Sequence, residues 1–149
     1  MIHMQRTNSD NSDFQNLVID LDKLLAELDG DEHEFYAQYN KAGHLTTVVV
    51  SYEDGKAIGC GAFKEYNSNT VEIKRMFTMA ENRGKGIAHA VLNELEKWAE
   101  ELGYTTAVLE TGKRQHEAIG LYQKAGYNII PNYGQYKDME NSVCMQKSI

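Results

Sequence analysis

Residues 70–110 constrain the fold more than any other part of the chain. They begin with the β-branched and aromatic run TVEIKRMFTM, continue through an apolar-periodic helix of about five turns, and end with the short run TTAVLE. The apolar face of the helix consists of Ile87, Val91, Leu95, Trp98 and Leu102. Gly103 is its predicted C-terminal stop. Because strand, helix and strand in this order form a crossover unit, we predict that the two strands are parallel neighbours in one sheet.

The other strands are predicted to pair antiparallel. The runs HLTTVVVSY and KAIGCGAFKEY precede residue 70, and the turn signals EDGK and NSN separate the three runs, which predicts an antiparallel meander. A first strand is predicted at residues 2–6. The runs NIIPNYGQY and NSVCMQKS predict the last two strands.

Three further helices are predicted. Residues 12–30 combine a Ser12/Gln15 capping-box pattern with a stop at Gly30. The apolar face of this helix consists of Leu17, Leu21, Leu24, Leu25 and Leu28. The segment DEHEFYAQYN predicts a shorter helix with Asp31 as its N-cap.

The last helix is predicted over the segment RQHEAIGLYQKA and ends at Gly126. Its inner face consists of Ala118, Leu121, Tyr122 and Ala125. The predicted order is therefore β-α-α-β-β-β-α-β-α-β-β. This is an α+β fold in which about seven strands form a mixed, mostly antiparallel sheet flanked by about four helices.

The composition limits the classes of protein that remain. With 149 residues, of which 42% are hydrophobic, the chain is predicted to form a single domain over residues 1–149. No segment resembles a signal peptide or approaches the roughly 20 apolar residues of a spanning helix, so we expect a cytoplasmic protein without membrane contact. The net charge of −7 argues against a nucleic-acid partner. Cys60, Cys144 and the five histidines show no metal-ligand spacing, so neither a metal nor a disulfide is predicted.

The loop before the long helix is the strongest candidate for a binding site. It contains Arg83, Gly84, Lys85 and Gly86. The first N–H groups of a helix lack intrahelical partners and carry partial positive charge, so this glycine-bearing start is suited to an anion. A Walker A loop would need GxxxxGK followed by Ser or Thr, and a dinucleotide fingerprint would need glycine where His89 stands. Both of those motifs are therefore excluded.

Three motifs in a fixed order resemble the GCN5-related N-acetyltransferase (GNAT) family. RGKGIA fits the family's R/Q-x-x-G-x-G/A pattern, VEIKRMFTM resembles its fourth strand, and EAIGLYQKAGY resembles its AIxLYxKxGF segment. The resemblance covers roughly residues 46–130. It implies a metal-independent enzyme that moves an acetyl group from acetyl-CoA directly to a primary amine of a small molecule or peptide, in a ternary complex.

The resemblance also implies which residues bind coenzyme A. Backbone amides at the start of the long helix would hold the pyrophosphate, and they belong to Arg83, Gly84, Lys85, Gly86, Ile87 and Ala88. Strand residues Met76, Phe77 and Thr78 would pair with the pantetheine arm. Gln115 stands where many relatives carry asparagine, and it would donate an amide hydrogen bond.

A tyrosine and a carboxylate are the expected catalytic groups. Tyr122 matches the tyrosine of the family's LY segment and would protonate the departing thiolate, although its helical spacing fits a core position equally well. Glu72 resembles the strand glutamate that serves as the base in some relatives, and it alternates with the core positions Val71 and Ile73. Glu110, at the end of its strand, is the alternative base, and unassisted deprotonation in water is a third option.

The acceptor side is expected to be lined by Glu110 and by aromatic residues. The aromatic candidates are Tyr36, Tyr39, Tyr133 and Tyr136. An acidic run between Asp20 and Glu34 favours a small cationic amine. The acceptor's identity, the length of the acyl chain and the formation of a homodimer are left open. A non-catalytic acyl-CoA sensor and a transferase of a longer acyl group are the alternative functions.

Overall fold

The computed structural model describes residues 1–32 and 43–149, except for the side chain of Asp31. Its strands are β1 (Ile2–Thr7), β2 (Thr47–Glu53), β3 (Lys56–Asn67), β4 (Thr70–Thr78), β5 (Thr106–Gly112), β6 (Asn128–Ile130) and β7 (Ser142–Ser148). Its α-helices are α1 (Ser12–Asp29), α2 (Ile87–Glu101) and α3 (His116–Lys124). Single 3₁₀ turns lie at Gly30–Glu32, Ala80–Asn82 and Gly134–Tyr136.

The seven strands form one sheet in the order β1-β2-β3-β4-β5-β7-β6. β4 and β5 run parallel, and every other neighbouring pair is antiparallel. Asp54 and Gly55 turn the chain between β2 and β3 with φ angles of 51° and 84°, the left-handed values that a tight hairpin turn needs. The predicted α+β class, the antiparallel meander and the parallel pair across the α2 crossover are therefore confirmed.

Alternate strand residues build two apolar layers, one on each face of the sheet. Val49 belongs to the layer beneath α2 and α3, whereas its neighbours Val48 and Val50 belong to the layer beneath α1. The helices contribute Val91, Leu92, Leu95, Ala99, Tyr122 and Ala125 to the first layer, and Phe14 and Leu17 to the second. Because each fully buried valine, leucine or phenylalanine side chain contributes roughly 1.5–3 kcal/mol, these layers hold the helices on the sheet.

Several details of the elements differ from the prediction. α1 is capped by Asn11, whose Oδ1 accepts the backbone N–H of Phe14 at 2.9 Å, because Ser12 already lies inside the helix. Leu102 is 55% exposed because α2 ends one residue before it. The predicted strand over NIIPNYGQY is limited to β6, since Pro131 has no N–H to donate to a neighbouring strand. The helix predicted over residues 31–40 lies largely outside the described residues.

A β-bulge interrupts the pairing of β4 with β3. Cys60 lies opposite Phe77 and Ala62 lies opposite Lys74, so two residues of β4 face the single residue Gly61. One of the two is Arg75, whose φ of 59° lies in the left-handed region. An inserted residue in this conformation defines a bulge.

The bulge changes which face the later residues of β4 occupy. Ile73 packs in the layer beneath α2, so strict alternation would place Arg75 there too. Instead, Arg75 forms an ion pair with Asp22 of α1, and Met76 packs against the α2 layer. Lys74 and Arg75 therefore both lie on the face of the sheet that α1 covers. None of the described helices is long and apolar enough to cross a lipid bilayer.

Candidate active site

β4 and β5 separate from each other partway along the sheet. Their pairing ends at Glu72 and Val108. Beyond that point β5 continues to pair with β7 as far as Gly112, while the bulge at Arg75 bends β4. The result is an opening between two strands that are otherwise neighbours, and a cleft and a smaller pocket lie at this opening.

The cleft has a volume of about 880 Å³, within the range of small-molecule sites. It is lined by nine of the residues predicted to bind coenzyme A: Met76, Phe77, Thr78, Arg83, Gly84, Gly86, Ile87, Ala88 and Gln115. Lys85, the remaining candidate, is exposed and is not part of this lining. Leu21, Leu24 and Leu28 of α1 also line the cleft, which explains why Leu24 and Leu28 are only half-buried.

The start of α2 has the geometry of an anion site. Gly84 and Gly86 have φ angles of 80° and 79°, which side-chain-bearing residues rarely adopt. A Cβ added at either glycine would meet no described atom within 4 Å, so it would project into open space where a ligand approaches. The Arg83 Nε–H donates to the Thr78 carbonyl at 3.2 Å, which holds this side chain at the end of β4. The N–H groups at this helix end therefore offer donors to an anion.

The smaller pocket has a volume of about 90 Å³ and is rich in charged groups. It shares Leu21, Met76, Gln115 and Tyr122 with the cleft. Its remaining lining consists of Leu25, Glu72, Ile73, Lys74, Arg75, Leu109, Glu110, Thr111 and Tyr136. Tyr122 and its neighbours therefore stand where a cofactor-sized cleft meets a polar pocket.

Tyr122 is buried on the inner face of α3. Its ring makes an edge-to-face contact with Tyr127 at a centroid distance of 5.9 Å. Tyr127 is itself fixed by a hydrogen bond that its hydroxyl donates to Glu96 at 2.9 Å. Burial raises the pKa of Tyr122, and the nearby Glu110 raises it further, so the hydroxyl stays protonated at neutral pH. Tyr122 is therefore a core residue, as its helical spacing predicts, and it also lines both the cleft and the pocket.

Glu110 is a carboxyl group of the pocket whose acidity is strongly perturbed. Burial raises its pKa from 4.5 to about 7. The carboxylates of Asp29 and Glu72 raise it slightly further, while a hydrogen bond with Ser142 and the charge of Lys74 lower it. A carboxyl group with a pKa near neutrality can exchange a proton with a bound ligand at physiological pH.

Glu72 is only 3% exposed, and both of its oxygens have partners. The Tyr133 hydroxyl donates to Oε2 at 2.6 Å, and the Lys74 ammonium lies 3.3 Å from Oε1. Glu72 does face away from the apolar layer of Val71 and Ile73, as its alternation predicted. It lies in a buried polar cluster, however, and not on an open strand face.

The predicted acceptor tyrosines have different positions. Tyr136 lines the small pocket. The Tyr133 ring contacts the rings of Tyr66 and Tyr136 at centroid distances of 5.2 and 5.9 Å. Burial raises the pKa of Tyr133, and the nearby Glu72 raises it further. Its hydroxyl donates a hydrogen bond to Glu72, which lines the small pocket. Tyr36 and Tyr39 lie outside the described residues.

The sequence did not identify the cations of the pocket. Lys74 and Arg75 belong to a predicted strand, and two adjacent cations break the alternation of a half-buried strand. Asp22, part of the acidic run thought to attract a cationic acceptor, instead accepts a hydrogen bond from Arg75 Nη2 at 2.8 Å. Among the described residues, no group of three or more His, Cys, Asp or Glu side chains is arranged to hold a metal ion.

Comparisons with known proteins agree with this geometry. Residues 13–127 match the Acetyltransferase (GNAT) family. The chain is 36% identical over 109 residues to the uncharacterized N-acetyltransferase YsnE of Bacillus subtilis (strain 168), with 72% of each chain covered. It is 30% identical over 141 residues to an IAA acetyltransferase of Azospirillum brasilense, with 89% of this chain and 88% of that protein covered.

Solved structures share the fold along almost the whole chain. A Klebsiella pneumoniae protein proposed to be an acyl-CoA N-acyltransferase has a TM-score of 0.83 at 27% identity, covering 99% of this chain and 97% of that one. A GNAT family acetyltransferase from Elizabethkingia anophelis with acetyl-CoA bound has a TM-score of 0.72 at 19% identity, covering 99% and 98%. The fold and the matches define an acyltransferase. This chain belongs to the GNAT acetyltransferase family.

Proposed function

We propose that this protein transfers an acetyl group from acetyl-CoA to a primary amine of a small molecule or peptide, directly and within a ternary complex. The observation that carries the proposal is the position of Tyr122, which lines both the cofactor-sized cleft and the polar pocket. A thioester held beside Tyr122 would meet an amine held beside Glu110. Acetyl-CoA bound to a neighbour of the same fold supports the choice of donor.

The loop of residues 83–86 before α2, here called the phosphate loop, and the edge of β4 supply the binding site for the donor. Backbone N–H groups from Gly84 to Ala88 would hold the pyrophosphate at the start of α2. After Glu72, β4 has no strand partner on its β5 side among the described strands, so the backbone of Met76, Phe77 and Thr78 can pair with the pantetheine arm. Acetyl-CoA supplies an activated acyl group, and the remaining chemistry consists of proton transfers by the protein's own side chains.

We assign the general base to Glu110 in preference to Glu72. An amine attacks only after it has lost its ammonium proton, and a carboxylate with a pKa of about 7 can accept that proton at neutral pH. Glu72 already accepts a hydrogen bond from Tyr133 and pairs with Lys74. Its role in this proposal is to hold Lys74 and Tyr133 in place.

Tyr122 is the proposed proton donor to the leaving group. The new N–C bond forms while the C–S bond breaks, and the electron pair of the broken bond goes to sulfur. The Tyr122 hydroxyl donates its hydrogen to that sulfur, and the second proton lost by the attacking nitrogen returns to Tyr122 through solvent, so the products are the amide and free coenzyme A thiol. A phenol already has a higher pKa than a thiol, and burial raises the pKa of Tyr122 further, so a strong hydrogen bond to the developing thiolate accounts for much of its effect.

An initial-rate assay of thiol release tests the proposed function. Acetyl-CoA is varied against a panel of primary amines, and mass spectrometry identifies the acetylated product. Direct transfer predicts intersecting double-reciprocal lines, whereas parallel lines would indicate an acyl-enzyme intermediate and contradict the ternary complex. Binding of acetyl-CoA without turnover of any amine would make the protein a sensor. Faster turnover with longer acyl-CoA donors would show that the transferred group is a longer acyl group and not acetyl.

A further inference from the structure

We propose that the acceptor amine carries a carboxylate group and that Arg75 binds it. The inference rests on the acetyl transfer proposed above, because it assigns the substrate class of the same site. Three features suit Arg75 to this role: the burial of its side chain, its backbone conformation, and its position across the sheet opening from Glu110.

The Arg75 side chain is 6% exposed and lies beside the polar pocket. A guanidinium has five N–H donors. Among the described residues, its one hydrogen-bond acceptor is Asp22, at 2.8 Å from Nη2. Asp22 is 46% exposed and therefore keeps much of its contact with water. A buried cation normally needs more partners than one half-exposed carboxylate, so an anionic ligand would find N–H donors of Arg75 that no acceptor within residues 1–32 and 43–149 engages.

The backbone of β4 is distorted in a way that brings Arg75 to this pocket. Regular alternation would direct residue 75 into the same apolar layer as Ile73. The bulge and the φ of 59° move it to the face covered by α1. Non-glycine residues adopt this conformation rarely, and such strain is concentrated at functional sites. The position of Arg75 beside the pocket therefore depends on a costly local structure.

The charges of the pocket complement a molecule with an amine and an acid group. Arg75 lies on β4 and Glu110 lies on β5, on opposite sides of the opening between the two strands. The ammonium of such an acceptor would approach Glu110 beside Tyr122. Its carboxylate would accept hydrogen bonds from Arg75, whose planar donor fork matches a carboxylate. This class differs from the purely cationic amine that the acidic run of α1 predicted.

Matched pairs of acceptors test the inference. Each pair differs by one carboxylate: L-phenylalanine and phenethylamine, L-lysine and cadaverine, β-alanine and ethylamine. The measured quantity is the ratio of kcat/KM for the acid to that for the plain amine, corrected for the fraction of unprotonated amine. The wild type is expected to favour the acid in at least one pair by about tenfold or more. If the plain amine is the equal or better acceptor in every pair, the inference is wrong.

Two substitutions separate carboxylate binding from a structural tie to α1. Arg75→Gln should lower the ratio by about ten- to a hundredfold, the factor that a charge-assisted hydrogen bond supplies. Asp22→Asn removes the tie but leaves the guanidinium, so the ratio should change less than about twofold. Equal losses in the two variants would reduce Arg75 to a structural residue. Arg75→Asn is the second variant if the glutamine folds poorly, since asparagine tolerates a positive φ.

Equilibrium binding distinguishes a failure of this inference from a failure of the proposed function. The carboxylate-bearing member of each pair is titrated by calorimetry into the protein bound to coenzyme A, so no turnover takes place. Weaker binding to Arg75→Gln than to Asp22→Asn supports the carboxylate site even if no amine is acetylated. Turnover of amines without Arg75-dependent binding of the acid would overturn the inference and leave the acetyltransferase assignment intact.

Discussion

Replacing Glu110 with glutamine should remove the proposed base and also stabilise the protein at alkaline pH. Burial raises the pKa of Glu110 from 4.5 to about 7. A carboxyl group whose pKa is higher in the folded state favours folding while it is protonated. That advantage is complete below about pH 4.5 and is lost as the pH rises through about 7. The difference between the two pKa values corresponds to about 3 kcal/mol.

The measurement is the free energy of unfolding of both proteins at pH 5 and pH 8. Glutamine keeps the shape of the side chain and does not ionise, so it avoids the cost of a buried charge. Relative to the wild type, Glu110→Gln should gain about 2 to 3 kcal/mol more at pH 8 than at pH 5. Comparing the two proteins at each pH cancels the titration of all other groups. Urea titrations with equal m-values would ensure that the folded states are comparable.

The kinetic part of the same experiment tests the chemistry. In the wild type, kcat/KM should rise as the pH increases through about 7, because Glu110 must be ionised to accept a proton. Glu110→Gln should lose about 10²-fold in kcat and also lose this step in its pH profile. Full activity of Glu110→Gln would show that Glu110 is not the base and leave Glu72 or water as the proton acceptor. A stability difference that is the same at both pH values would refute the raised pKa itself.

Three further substitutions test the other parts of the site. Tyr122→Phe should lower kcat by about 10²-fold while coenzyme A binds nearly as well, and wild-type kcat under chemistry-limited conditions would leave Tyr122 with a packing role only. Gly86→Ala should weaken the binding of acetyl-CoA, measured by calorimetry. Gly103→Ala is the control, because Gly103 also has a positive φ and open space at its Cβ position, and it should bind acetyl-CoA as the wild type does. Equal affinities of the two variants would reject the assignment of the phosphate loop. Glu72→Gln should destabilise the fold by about 1–3 kcal/mol in urea unfolding, since it weakens a buried pair with Lys74, and an unchanged midpoint would mean that the pair contributes nothing.

Features that depend on local spacing could be predicted from the sequence. The apolar residues of α2 recur at helical intervals, so the crossover follows from neighbouring residues, and the glycine before them is the basis for expecting an anion site there. The same holds for the β2–β3 hairpin, where Asp54 and Gly55 are the residues that its turn requires. Leu102 was misplaced because periodicity alone does not show where a helix ends.

Features that depend on distant contacts could not be predicted in this way. Tyr133 and Glu72 are 61 positions apart in the chain, yet a hydrogen bond joins them. The pKa of Glu110 depends on burial and on groups from α1, β4 and β7. Its preference over Glu72 as the proposed base therefore rests on tertiary packing, whereas in the sequence both residues are simply strand glutamates.

The bulge at Arg75 is an intermediate case, because its signal is present in the sequence. In VEIKRMF, the residues that pack beneath α2 are Val71 and Ile73, and then Met76, so the apolar alternation changes phase by one residue. An inserted residue produces that change, and the insertion must lie between Ile73 and Met76. Both intervening residues are cations, so without the bulge the second of them would lie in the apolar layer beneath α2, and the bulge moves that charge to the other face of the sheet. The change of phase thus indicates the bulge, and the cation that it displaces is the one to which we assign the carboxylate site.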